Sequence, residues 1–346
     1  MDTAVGAAMD PRFARQAVLP EIGPAGQERL ARASVLLVGA GGLGCPAALY
    51  LAAAGVGAIT IVDDDRVEIS NLNRQVLFTP ADAGRPKAEC AVERLAAFAP
   101  GCRLRPVARR LDLDLAAELV AGHDLVVDGT DSFAATYALS DACEAAQVPL
   151  IAASVIGWEG YVGGFCAGAP GYRAVFPDVP LDAPNCDIAG ILGAVAGMMG
   201  CLQAVEALKV LLDRPDTVMG RLLRVNADLS RMTAFSFKNM AADPGAGQGS
   251  RPYAIRVVEE ARPDLCLVDV RRADERAADP LPLPSLHLPL DRLAAEGSGL
   301  PGDRPLLFVC QSGRRSELAC MTMHRLGRYD VASLAGGLSR WRERTG

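Results

Sequence analysis

The chain has 346 residues, half of them hydrophobic and 22% charged, with a formal net charge of −6. Such a length suits two domains with separate cores, the hydrophobic share excludes a disordered polymer, and the acidic balance argues against nucleic acid as the main partner. The charge is uneven: residues 1–250 hold 20 Lys+Arg against 28 Asp+Glu, and residues 251–346 hold 15 against 13, so two different surfaces are expected. From residue 34, apolar runs of strand length alternate with helical patterns. Ser34–Val38 reads as a strand, leads through Gly39–Gly44, and is followed by a helix over Cys45–Ala54. Ala58–Asp63 is a second strand and ends in acids. Further strands are expected at Arg103–Val107, Leu125–Asp128 and Pro149–Ala153, with helices near 86–98, 114–121 and 132–147 between them. This alternation predicts α/β architecture, with βαβ units around a Rossmann-like, mostly parallel sheet.

After Trp158 the pattern turns to short strands and a proline-rich stretch (Pro170, Pro177, Pro180, Pro184), then an apolar segment, then strands near 221–226 and 231–237. The apolar segment, Ile188–Val205, is nearly uncharged and about long enough to span a bilayer. It also carries Gly190, Gly193, Gly197 and Gly200 and continues in helical register through Gln203, Glu206 and Lys209. Those small residues and flanking charges predict a core helix packed closely on a neighbour, and no membrane partner. Asn239–Pro252 is rich in Gly, Ala and Pro without periodicity and reads as a linker. The resulting division is a first domain at 1–240, a linker at 241–252 and a smaller α/β domain at 253–346, with strands at Leu265–Val270 and Leu306–Cys310. No Lys- or Arg-led apolar stretch opens the chain, and none of its ten cysteines pairs as C-x-x-C. Reduced thiols and a cytoplasmic location are expected.

G-A-G-G-L-G at Gly39–Gly44, after a strand and before a helix, with Asp63 ending the next strand, is the pattern of a phosphate-binding turn. Gly39, Gly41, Gly42 and Gly44 let the backbone approach phosphate at a helix N-terminus, and the acid reaches ribose hydroxyls. The glycines alone do not separate NAD from ATP, so an NAD-dependent oxidoreductase stays open at this point. The next segments favour ATP: D-D-D-R-V-E-I-S-N-L-N-R-Q from Asp63 to Gln75, G-R-P-K-A at Gly84–Ala88, and D-G-T-D ending at Asp131. Adenylyl transfer must neutralise charge building on a triphosphate, which Arg74 and Lys87 can do while Asp131 holds magnesium. Lys87 is one of three lysines in the chain, which makes its place in this motif informative.

From R-F-A-R-Q at Arg12–Gln16 to about residue 237, including N-C-D-I-A-G-I-L-G at Asn185–Gly193, the chain resembles the adenylating enzymes of molybdopterin and thiamine biosynthesis, a family that includes the ubiquitin-activating enzymes. The resemblance implies ATP-binding roles for Gly41, Asp63, Asp65, Asn71, Arg74, Gln75 and Lys87, and a magnesium-linked role for Asp131. It also implies a homodimer in which Arg15 reaches the partner's nucleotide. Two departures stand out. Ser132 takes the place of the family's usual Asn, and G-Y-R-A at Gly171–Ala174 and the cysteine-free Asp243–Gly249 replace paired C-x-x-C motifs. A tetrahedral sulfur site needs four thiolates close together, so no zinc site is expected.

Two cysteines are candidate nucleophiles; the others read as small buried hydrophobes. Cys186 lies between the proline-rich stretch and the apolar helix, just before a helix start that favours thiolate. The resemblance assigns its position a covalent link to a carrier. Cys310 ends an apolar strand and opens V-C-Q-S-G-R-R-S (Val309–Ser316), followed by a helix from Glu317. A tight loop there can direct successive N–H groups at the sulfur and stabilise a persulfide. From about Tyr253 onward the chain resembles a rhodanese sulfurtransferase domain, with D-V-R at Asp269–Arg271 as a second mark and a degenerate stretch from Arg272 to Leu290. The short spacing from Cys310 to Arg315 favours sulfur over the phosphate of the related phosphatases.

The expected function is adenylation of the C-terminal glycine of a ubiquitin-like sulfur carrier ending in Gly-Gly, followed by sulfur transfer from a persulfide or thiosulfate donor to give a thiocarboxylate. A carrier-binding scaffold with a vestigial rhodanese domain is the other rival, and intact Cys310 and Arg315 count against it.

Overall fold

The computed structural model describes residues 10–177, 190–240, 255–262 and 264–345. The chain forms two compact units, each built on its own sheet. The linker proposed at 241–252 and Cys186 lie outside the described residues.

In the first unit, strands β1 (Ser34–Val38), β2 (Ala58–Val62), β3 (Arg103–Val107), β4 (Leu125–Asp128), β5 (Leu150–Ile156), β6 (Glu159–Phe165), β7 (Arg221–Asn226) and β8 (Arg231–Ser236) form one sheet. Their order is β3-β2-β1-β4-β5-β6-β7-β8. The pairs from β3 to β5 are parallel, as the alternation of strands and helices predicts. Leu36, Leu37, Ile59, Ile61, Val126 and Val127 are fully buried, which is why these strands read as unbroken apolar runs. From β5 to β8 the pairing is antiparallel; Gly157 and Trp158 turn the chain from β5 to β6 too tightly for a parallel crossover.

Because β1 lies between β2 and β4, the strand order reverses at their C-terminal ends, and a crevice opens there. Backbone bonds carry the loops away from this edge: Gly39 N–H donates to Val62 O and Gly129 N–H to Val38 O, both at 2.8 Å.

The apolar segment forms the helix Gly193–Leu211, later in the chain than its composition suggests. Gly190 has φ +70° and Ile191 forms a bridge with Gly157, which delays the helix start. A Cβ on Gly193 would lie 2.2 Å from Asn73 O, and one on Gly200 would lie 2.2 Å from Leu43 O. Its small residues therefore let neighbouring backbone touch the helix. It is long and apolar enough by composition to cross a bilayer, yet Val195, Ala196, Met199, Gly200, Gln203, Ala204, Glu206 and Ala207 are buried in this unit.

The second unit has a wholly parallel sheet of β9 (Arg256–Val258), β10 (Cys266–Asp269), β11 (Leu286–His287), β12 (Leu306–Val309) and β13 (Val331–Leu334), in the order β11-β10-β12-β13-β9. Side chains alternate along β12. Leu306 and Phe308 enter the core that holds Leu293, Ala319 and Met323, whereas Leu307 and Val309 pack with Leu338 on the opposite face. The degenerate stretch keeps a two-residue edge pairing, Val268 to Leu286 and Asp269 to His287.

Candidate functional site

The four candidate glycines serve different purposes. Gly39 has φ +90°, and a Cβ there would lie 2.8 Å from the Gly129 backbone. A Cβ on Gly44 would sit 1.8 Å from Gly39 O. Both glycines close the loop onto β4 so that the helix Gly44–Ala53 can begin. Gly42 lies against Ala196 and the Arg74 stem, at 3.2 and 3.5 Å from its added Cβ. Gly41 alone is open, with Gln75 Nε2 the nearest atom at 3.9 Å. Phosphate can approach the backbone there, beside first-turn N–H groups that have no partner within the helix.

Asp63 leaves β2 and accepts from Ala40 N–H at 2.7 Å and Asp65 N–H at 2.8 Å, which ties the acid to the glycine loop. Burial pushes its pKa up to about 6, against the pull of the Lys87 ammonium. Gln75 is 4% exposed, and its Oε1 is buried without a hydrogen-bond partner among the described residues. A buried amide oxygen left unpaired beside an open glycine fits a site that a donor-bearing ligand completes. The Arg74 guanidinium donates to Ser70 O at 3.1 Å and Asn73 Oδ1 at 3.0 Å, with no carboxylate partner among the described residues. Asn71 donates to Ser70 Oγ at 3.1 Å.

Lys87 opens the helix Lys87–Phe98 and is only 4% exposed. A short antiparallel pairing sets its place: Val67 N–H donates to Arg85 O, Gly84 N–H to Val67 O, and Lys87 N–H to Asp65 O at 2.9 Å. Its Nζ donates to Asp65 Oδ2, also at 2.9 Å. Burial works to lower its pKa, but the Asp65, Asp63 and Asp131 carboxylates outweigh burial and raise it. Asp131 is exposed in the loop after β4. The structure thus gathers one buried ammonium and three carboxylates at the crevice beside Gly41. Among the described residues no three acids stand close enough to hold a metal ion by themselves, so the three carboxylates meet only in their pull on Lys87.

Arg15 is not part of this gathering within one chain. It is exposed in the turn Ala14–Ala17, whose Gln16 donates to Ala54 O at 2.9 Å, beyond the C-terminal end of the helix that begins at the glycine loop. Gly171–Ala174, where the resembled family has its first cysteine pair, is held by other bonds. Arg173 forks onto Asp141 at 2.6 and 2.7 Å, Tyr172 N–H donates to Ser140 Oγ at 3.0 Å, and the Tyr172 and Tyr161 hydroxyls meet at 2.6 Å.

In the second unit Cys310 follows β12 and is 0% exposed. The helix begins at Arg314 rather than Glu317, because Gly313, at φ +93°, takes the N-cap position in a left-handed conformation. That turn points Gly313 N–H at Cys310 Sγ, 3.2 Å away. Leu338 N–H and Ser339 N–H, at the start of the helix Gly337–Thr345, take the Cys310 and Gln311 carbonyls at 2.9 and 3.1 Å. Arg315 is gripped on both nitrogens by Glu275, at 2.6 and 2.7 Å, and its hydrogen bonds hold the Glu275 pKa down at about 2. Asp269 and Arg271 are both fully buried and forked together at 2.8–3.3 Å, and Arg271 also donates to Asp279 O at 2.9 Å. The D-V-R motif therefore anchors the chain after β10. Sequence reasoning missed Glu275, Ser316 and Ser333. Glu275 follows a degenerate stretch without spacing that could announce it. Ser316 was legible only as a helix-start residue.

The family model described as ThiF family matches residues 13–245, and the one described as Rhodanese-like domain matches residues 254–344. A "Probable adenylyltransferase/sulfurtransferase MoeZ" of Mycobacterium tuberculosis is 34% identical, over 95% of this chain and 92% of its own length. A "Sulfur carrier protein adenylyltransferase" of Thermus thermophilus is 44% identical, over 62% of this chain and 83% of its own. Among solved structures, E. coli MccB shares the fold with a TM-score of 0.60 at 22% identity, covering 69% of this chain and 74% of that one.

Proposed function

The chain belongs to the ThiF family and carries a rhodanese-like domain, an ATP-using adenylyltransferase with sulfurtransferase activity, and from that premise we propose how its residues divide the work. The substrate is a ubiquitin-like sulfur carrier ending in Gly-Gly. Its C-terminal carboxylate attacks the α-phosphorus of ATP, the bond to the β-phosphate oxygen breaks, and pyrophosphate leaves. Gly41 admits the phosphates to the helix start, Asp63 meets the ribose, and Gln75 and Asn71 complete the nucleotide's hydrogen bonds. Arg74 and Lys87 meet the charge that develops on the leaving pyrophosphate, joined by Arg15 from a second copy in a homodimer. Magnesium, which lowers the charge barrier on the phosphates, fits beside Asp131. The observation that carries this half is Lys87, an ammonium kept charged in a buried setting by carboxylates that a metal and triphosphate would take over.

In the second half, a sulfur donor, thiosulfate or a persulfide, leaves its outer sulfur on Cys310. That sulfur attacks the acyl carbon, AMP leaves, and an acyl disulfide joins carrier and Cys310. The Cys186 thiolate attacks the Cys310 sulfur, the thiocarboxylate departs, and two external thiols reduce the remaining disulfide, leaving as their own disulfide. Gly313 N–H, 3.2 Å from Sγ, supports Cys310 as the sulfur-bearing residue. Arg315, held by Glu275, keeps the loop in place. The setting is the cytoplasm, without membrane, nucleic acid or structural zinc. The test is to supply a carrier, ATP and thiosulfate and follow pyrophosphate and carrier mass together. Thiocarboxylate is expected only when all three are present. Pyrophosphate release that ignores the carrier would sink this reading.

A further inference from the structure

We propose that Ser316 and Ser333 form a hydroxyl pair that holds the Cys310 sulfur as an anion, a positioning device that deepens the sulfur-transfer reading and rests on it. Ser316 Oγ lies 3.7 Å from Cys310 Sγ and 2.7 Å from Ser333 Oγ. The two serines are 0% and 1% exposed. They come from different elements: Ser316 from the first turn of the helix Arg314–Arg325, Ser333 from β13, where it pairs in register with Phe308 of β12. Two hydroxyls beneath a strand, next to a core of Phe308, Ala319 and Met323, are costly to bury unless each is bonded.

The proton count favours the sulfur. Ser316 donates to Gly313 O at 2.7 Å, but that carbonyl already receives Glu317 N–H at 3.1 Å and lies 3.4 Å from Ser333 Oγ. It keeps the Glu317 N–H when the Ser316 hydroxyl turns away. While Cys310 carries its proton, Ser316 stays on the carbonyl. Once that proton has left for solvent, the Ser316 O–H turns to the sulfur, and Ser333 donates to the Ser316 oxygen. With Gly313 N–H at 3.2 Å, the buried anion then has two donors. A charge fully removed from water requires such bonds.

The test uses the full-length, reduced chain without any sulfur donor. Iodoacetamide alkylation is read at each cysteine by peptide mass; the thiolate displaces iodide, so the rate at Cys310 reports the charged sulfur. Ser316→Ala should slow Cys310 alkylation about fivefold to tenfold. Ser333→Ala should slow it less, and Ser316→Thr should restore it. Loosened packing would act with the opposite sign, speeding alkylation of Cys310 together with its buried neighbours Cys266 and Cys320. Equal or faster Cys310 alkylation in Ser316→Ala, or a threonine variant as slow as alanine, would overturn the proposal. If Ser316→Ala does not fold, unchanged alkylation in Ser333→Ala overturns it. No donor or carrier enters the assay, so a chain that failed to transfer sulfur would sink the functional reading and leave this result standing.

Discussion

The two proposed reactive centres are built on opposite plans. Around Gly41 the groups are charged and drawn from separate segments, and the edge lies open: Asp65 and Asp131 are exposed, while Asp63 is partly buried and the Lys87 ammonium enclosed. Around Cys310 the sulfur is closed in, and it meets a backbone N–H and the neutral Ser316 hydroxyl, which Ser333 backs. The difference follows the cargo. A triphosphate brings several charges that must be met by whole charges, whereas a single sulfur atom needs a small, preorganised anion seat.

If the plans are chemically separable, Cys310→Ala has the largest effect on one and none on the other. Persulfide-driven thiocarboxylate formation should vanish, while ATP–pyrophosphate exchange with carrier runs at the wild-type rate and excess inorganic sulfide bypasses the lesion. Lost exchange in this variant would break the comparison. The converse test is Lys87→Ala or Asp131→Ala, expected to cut exchange by about a hundredfold to a thousandfold while Cys310 still takes sulfur from thiosulfate, read by intact mass. Exchange near the wild-type rate would remove that residue from the mechanism.

Arg15→Ala should lower exchange about tenfold without dissociating the proposed homodimer, since one arginine contributes more to transition-state charge than to an interface. Mixing it with Arg74→Ala should restore some activity. No recovery in mixtures shown to exchange subunits would end the idea that Arg15 acts in trans. A smaller effect sharpens the second unit alone. The Glu275 pKa falls from its ordinary value of 4.5 to about 2 on folding, chiefly through Arg315, so its ion pair contributes stability above about 4.5 that is lost as pH falls toward 2. In a Trp158→Phe background Trp341 is the single tryptophan, and its fluorescence should show acid unfolding flattened by Glu275→Gln across that window. An unchanged acid transition would show that the pair does not tie the loop. The smallest expected effect is from a chelator. With magnesium restored, thermal unfolding of the first unit should not move, because Arg173–Asp141 and the Tyr172–Tyr161 pair hold Gly171–Ala174. A lowered midpoint with release of zinc would contradict that.

The fold of the parallel region was legible residue by residue. β1 and β4 are buried on both faces and begin and end where their apolar runs do, whereas β3 is an exposed edge strand whose limits match without such a run. Helix limits were less legible: Gly190 and Gly313 adopt left-handed conformations that move one helix start later and the other earlier, and composition does not reveal φ. Sequence alone nominated residues for chemistry, because glycines at a strand–helix turn, a rare lysine and a cysteine at a strand end are local signals. Only the tertiary structure decided that Gly41 is the open glycine while Gly39 and Gly44 are packing ones, since that depends on Gly129 and Gln75, far away in the chain. It likewise decided that Arg315 faces Glu275 and that Ser333 lies behind the Cys310 loop, because long-range contacts are set by how sheets bring distant segments together, and no spacing along the chain records them.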